Sequence, residues 1–107
     1  MDEQEFVALA GRMLESWAEI IDDNAEDFDV DCDGSVLTVE LDDGRVFIVN
    51  RHRPLKQIWL SSPISGASHY AWNADQNAWV GTKSDDHLHT ILSQEISALA
   101  GAAINLD

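Results

Sequence analysis

Fifteen of the 20 Asp and Glu residues lie within the first 43 positions, accompanied by a single base, Arg12. That third of the chain carries the whole formal charge of −14, and the remainder sums to zero. Carboxylate oxygens are hard ligands, suited to Ca²⁺, Mg²⁺, Mn²⁺ and iron rather than to zinc in a Cys/His cage. Glu19, Asp22, Asp23 and Glu26 are spaced so that neighbouring side chains can share one ion. Asp29 and Asp31 join them if the segment that follows lies beside theirs. The stretch contains no EF-hand-like loop and no His, so the expected binding is weak and unselective. The same carboxylates attract a basic protein surface, speeding encounter in a salt-dependent way. Metal and partner would then compete for one patch. A solvated acidic face that only aids solubility is the plain alternative. Against it stands the self-repulsion that such crowding costs.

The elements that must position these groups can be read from periodicity. Residues from about Glu3 to Asp23 form an amphipathic helix, with Phe6, Leu9, Ala10, Met13, Leu14, Trp17, Ile20 and Ile21 on one face. Glu5, Glu15, Glu19, Asp22 and Asp23 fall on the other. Asp2 is placed to cap it, with Glu5 as its box partner. Acids at the end of a helix oppose the macrodipole, and a sequence chosen for stability alone would carry Lys or Arg there. Such a local conflict tends to mark a functional site.

The period then becomes two. Phe28, Val30 and Cys32 alternate with Asp27, Asp29, Asp31 and Asp33, which predicts a strand with one apolar face and a rail of carboxylates. Val36–Leu41 and Arg45–Asn50 are strands joined by the turn Asp42-Asp43-Gly44, whose acids are expected to lie outside the acidic ridge. Gln57–Ser61 is a short apolar strand ended by Ser62-Pro63 and Gly66. Ser68–Asn73 and Asn77–Gly81 form a second hairpin with Trp72 and Trp79 as anchors. Asp85 or Asp86 is expected to cap a helix to Ala100, with Leu88, Ile91, Leu92, Ile96 and Leu99 on its stripe and Gly101 at its end. Ala102–Leu106 is an apolar tail suited to covering an edge of the core. The order helix, about six strands, helix predicts an α+β fold: a two-layer sandwich with both helices on one face of a twisted antiparallel sheet.

Length predicts a single domain over residues 1–107. Hydrophobic content of 45% sets the chain apart from disordered acidic tails. One cysteine, Cys32, excludes an internal disulfide framework, and its place on the apolar side of a strand predicts a buried, inert thiol. His52, His69, His87 and His89 are scattered, and residues two apart on a helix, as His87 and His89 would be, point different ways. No catalytic triad or phosphate-cradling Gly loop is present, which counts against an enzyme. Strong acidity argues against nucleic acid and anionic membranes. No signal or transit leader is recognisable, so the expected location is cytoplasmic.

The stretch Asn50–Trp79, NRHRPLKQIWLSSPISGASHYAWNADQNAW, resembles the frataxin family. Its centre, Gln57-Ile58-Trp59-Leu60-Ser61-Ser62-Pro63-Ile64-Ser65-Gly66, is similar to that family's signature, and Tyr70, Trp72 and Trp79 fall where the family places aromatics. The acidic first helix, acidic strand and last helix match in order, and the length resembles the bacterial CyaY branch. The resemblance implies a non-enzymatic role in iron–sulfur cluster assembly, regulating the cysteine desulfurase and its scaffold protein and delivering iron through an acidic surface ridge. Iron (Fe²⁺ or Fe³⁺) would bind weakly on a ridge of Glu15, Glu19, Asp22, Asp23, Glu26, Asp27, Asp29 and Asp31. A ferroxidase or iron-storage activity on the same ridge is the alternative, and a monomer is expected without iron. Alternation puts Gln57 and Trp59 on one face of their strand. From the residues alone, a strand Trp is more often core. The resemblance places Trp59 on the open face, with Asn50, His52, Gln57 and His69 around it as a partner surface that Glu19, Asp22 and Asp23 extend.

Overall fold

The computed structural model describes residues 1–106, which form α1 (Glu3–Asn24), β1 (Asp29–Cys32), β2 (Val36–Glu40), β3 (Val46–His52), β4 (Gln57–Ser62), β5 (Gly66–Asn73), β6 (Ala78–Gly81) and α2 (Leu88–Ala100). The six strands pair antiparallel in sequence order, as successive short turns require. Both helices lie on one face, and the two-layer α+β sandwich is as expected.

Helix α1 buries Phe6, Ala10, Leu14, Trp17 and Ile21, spaced by three and four residues, against the helix-side residues Leu37, Val39, Phe47, Val49, Ile58 and Leu60. The Asp2 carboxylate accepts from the Glu5 amide at 2.8 Å, the expected cap, and this bond holds its pKa below the usual carboxylate value. At the other end no basic residue occupies the last turn. Helix α2 buries Leu88, Leu92 and Ile96, and Gly101 closes it with φ +68°, a left-handed conformation that glycine adopts without steric cost.

The structure corrects three local expectations. Neither Asp85 nor Asp86 caps α2: the cap position is His87, and its side chain makes no capping bond. The carbonyl of Asp86 accepts from Gly81 N–H at 2.8 Å and His87 bridges Val80, so this segment is held extended beside β6. Strand β1 spans only Asp29–Cys32, because Phe28 N–H donates back to Ala25 in a turn and Asp33 leaves the strand. The Asp33 carboxylate instead accepts from Ser35 N–H, Ser35 Oγ and Val36 N–H, and these bonds lower its pKa. Their contribution is present above the ordinary carboxylate range and is lost as pH falls through the lowered value. Gly66 opens β5 opposite Ser62 instead of closing the preceding strand.

The tail behaves as expected. It turns back along α2, with Ile104 N–H and Leu106 N–H donating to the Ser97 and Ser93 hydroxyls. Ile104 and Leu106 are buried, and Trp17 Nε1 of α1 donates to the Leu106 carbonyl at 2.7 Å. The tail thereby ties the two helices together. Trp17→Phe should keep most of the packing but orphan that buried carbonyl. The expected loss is about 1–3 kcal/mol, measured by urea unfolding.

Candidate functional site: an acidic groove and an aromatic face

All eight carboxylates assigned to the ridge are exposed, but they do not form one row. Glu15, Glu19 and Asp22 project from α1 on successive turns over the edge strand β1, and Asp31 closes the same groove. Ala18, Val30 and Cys32 form its remaining lining. Around the corner, Asp23, Glu26 and Asp27 gather with Asp42 of the β2–β3 turn about a second, more polar hollow. The expectation that Asp42 lies outside the ridge is therefore wrong. The β2–β3 turn folds over toward the α1–β1 connection, a long-range contact that local pattern does not reveal. Asp43 is spent within the turn on Arg45, 2.8 Å away. Asp29 and Asp31 share the open side of β1 with Thr38 and Glu40 of β2. Asp31 reaches the groove, while Asp29 is not part of its lining.

No three of the described His, Cys, Asp and Glu side chains converge closely enough to hold a metal ion as they stand. Among the described residues the ion pairs are Arg45–Asp43 and Arg53–Glu3, so neither draws on a groove carboxylate. The groove is thus an exposed concentration of negative charge. Such a surface is suited chemically to loose cation binding and to electrostatic attraction of a basic partner. Cys32 is half-buried in the groove wall rather than sealed in the core, because β1 is an edge strand with α1 covering only part of it.

The second candidate surface is the side of the sheet away from the helices. Ile58 and Leu60 face the core, and Gln57 and Trp59 face outward, as the alternation requires. The register sets Asn50 and His69 directly opposite Trp59, and His52 opposite Gln57. The His52 and His69 rings stack on Trp59 at 3.7 Å and 4.2 Å between centroids, with planes within 10° and 9° of parallel. Trp59 is consequently half-buried, and its Nε1–H donates to Gln57 Oε1 at 2.9 Å. All five residues assigned to this patch lie together.

Two features escaped sequence reasoning. Arg51 points to the helix side, where Nη1 donates to the carbonyls of Val7 and Gly34 at 3.3 and 3.2 Å. It thereby fastens α1 to the β1–β2 turn at one end of the acidic groove. An Arg following an outward Asn in an alternating strand is the signal that could have placed it inward. The other is His87 and His89, whose rings meet at 5.7 Å because His87 precedes the helix instead of belonging to it.

A family model described as a frataxin-like domain matches residues 1–102. The chain is 35% identical over 108 residues to the iron–sulfur cluster assembly protein CyaY of Neisseria meningitidis, covering 100% of this chain and 97% of that one. It is 35% identical over 111 residues to mitochondrial frataxin of Arabidopsis thaliana, covering 99% of this chain but only 59% of the plant protein's length. Among solved structures, frataxin from Psychromonas ingrahamii superposes with a TM-score of 0.86 at 31% identity, over 100% of this chain and 99% of that one. Trimeric frataxin from the yeast Saccharomyces cerevisiae, complexed with ferrous iron, superposes with a TM-score of 0.71 at 26% identity, over 94% of this chain and 88% of that one. This chain, from its acidic first helix to the glycine that closes its last, belongs to the frataxin family.

Proposed function

We propose that this protein serves iron–sulfur cluster assembly by binding iron weakly in the α1–β1 groove and regulating the cysteine desulfurase and its scaffold protein through direct docking. The observation that carries the reading is the unneutralised set Glu15, Glu19, Asp22 and Asp31, exposed in one groove, with Asp22 in the last turn of α1 where the macrodipole disfavours an acid. The assembly role named for the Neisseria protein and the ferrous complex of the yeast protein support it. In this reading iron is cargo and regulator, and the Trp59 face is the second contact surface. Iron occupancy lowers the negative charge offered to a basic desulfurase surface, so metal and partner compete.

Because the ligands are exposed and interchangeable, no one of them should be essential. Single replacements of Glu15 and Glu19 by Gln, or of Asp22 and Asp31 by Asn, should each weaken Fe²⁺ binding by about twofold to fivefold. Anaerobic calorimetry measures this. Complete loss from one replacement would contradict a loose surface site. Saturable, oxygen-dependent Fe²⁺ oxidation abolished by the same replacements would favour a ferroxidase instead.

A further inference from the structure

A hollow of about 340 Å³ opens between the first half of β5, the β6–α2 loop and two successive turns of α2. It shares no residue with the acidic groove. Backbone bonds hold the loop over the sheet. Thr82 N–H donates to the His69 carbonyl at 2.8 Å, and Gly81 N–H to the Asp86 carbonyl at 2.8 Å. A side chain at Gly81 would strike Ser84 Oγ, so the glycine lets the loop close over the end of β6.

The hollow contains polar capacity that the fold does not use. Tyr70 is only 3% exposed, and its hydroxyl pairs with Ser68 Oγ at 3.0 Å. Two hydroxyls carry two protons, and the bond between them uses one. One O–H is left without an acceptor among the described residues. Burial, reinforced by the charges of Asp86 and Glu95, raises the Tyr70 pKa and keeps the phenol protonated. A buried donor without a partner is costly, and an oxygen atom of a ligand relieves it.

Charges of both signs stand around this hydroxyl. Lys83, Asp86 and Glu95 line the hollow, and none of them enters an ion pair among the described residues. Glu95 is fixed in place: Oε1 accepts from Ser62 Oγ at 2.6 Å, and Ser62 Oγ in turn accepts from the Ile64 and Ser65 amides. Its other carboxylate oxygen stays open. Ile91, one turn before Glu95, supplies an apolar wall. A simple anion would face two carboxylates here, and a simple cation would leave Lys83 and the hydroxyl unmet. A small molecule carrying both charges satisfies all of these groups.

We propose that this hollow binds a free α-amino acid with a small side chain. Its carboxylate meets Lys83 and the Ser68–Tyr70 hydroxyls, its ammonium meets Glu95 and Asp86, and its side chain lies against Ile91. The site stands or falls separately from the cluster-assembly reading.

The test titrates the ¹⁵N-labelled full chain with L-alanine, and separately with acetate and with methylamine, at equal ionic strength. L-Alanine should shift the amide signals of Ser68, Tyr70, Thr82, Lys83 and Glu95 with a Kd of about 1–10 mM, a range suited to so few atoms. Acetate and methylamine should move them far less at the same concentrations. Lys83→Gln and Glu95→Gln should each weaken L-alanine by about threefold to fivefold. Lys83 is exposed and outside every described ion pair, and Gln at position 95 can still accept from Ser62, so both variants should fold as the parent does. Tyr70→Phe, which keeps the ring, should cost about twofold to tenfold. The proposal is overturned if L-alanine at about 100 mM leaves these signals unmoved. It is equally overturned if acetate or methylamine alone matches L-alanine, or if either charge variant binds L-alanine as the parent does.

Discussion

Replacing Glu15, Glu19 and Asp22 together by Lys is expected to weaken desulfurase binding by about tenfold to a hundredfold while leaving the fold at least as stable. The three side chains share one groove and are exposed, so each replacement turns an attraction into a repulsion without touching the core. Exposed charge pairs are worth up to about 1 kcal/mol each, and three of them reach this range. The loss should fall mainly on the association rate and shrink as salt is raised. Stability moves the other way. Asp22 lies in the last turn of α1, which has no basic residue. A lysine there complements the macrodipole by about 0.3–1 kcal/mol. Thermal unfolding and binding kinetics on the same variant separate the effects. Reversal of Asp23 and Asp42, around the corner, should weaken binding less if the groove is the docking surface.

Phe6→Ala should have the largest effect on stability. The Phe6 side chain is fully buried, and its ring meets Trp79 edge to face at 5.7 Å between centroids and 75°. It is where α1 packs on β6, at the far side of the sheet from β1. Truncation removes the apolar burial, leaves a cavity and ends an aromatic pair. The expected loss is about 3–5 kcal/mol, a large share of the stability of a domain this size. Chemical denaturation measures it, and near-ultraviolet circular dichroism should show a loosened Trp79. A loss below about 1 kcal/mol would mean that α1 is held mainly elsewhere.

Much of the fold was legible because its elements are amphipathic with clear periods. The stripe Phe6, Ala10, Leu14, Trp17 and Ile21 predicted α1 and its buried face together. Alternation in Gln57–Leu60 separated the Trp59 face from the core, although choosing the outward side drew on the family resemblance. What local pattern could not supply was contact between distant segments. The grouping of Asp42 with Asp23 depends on how a turn folds over a corner. The His52–Trp59–His69 stack depends on strand register, which brings together rings from three strands. The cap of α2 failed for a related reason: Asp86 has the right side chain, but a bond to Gly81 holds it against β6, one residue short of the cap position. The acidic charge was plain from composition, whereas its division into a groove and a separate hollow needed the three-dimensional path of the chain.

The central claim is that one groove serves both iron and a basic partner. Titrating the ¹⁵N-labelled chain anaerobically with Fe²⁺, and separately with the desulfurase, tests it most directly. Both titrations should perturb the signals of Glu15, Glu19, Asp22 and Asp31, and saturating Fe²⁺ should weaken the desulfurase complex beyond the effect of matched ionic strength. Disjoint sets of perturbed residues, or a complex indifferent to iron, would contradict the account.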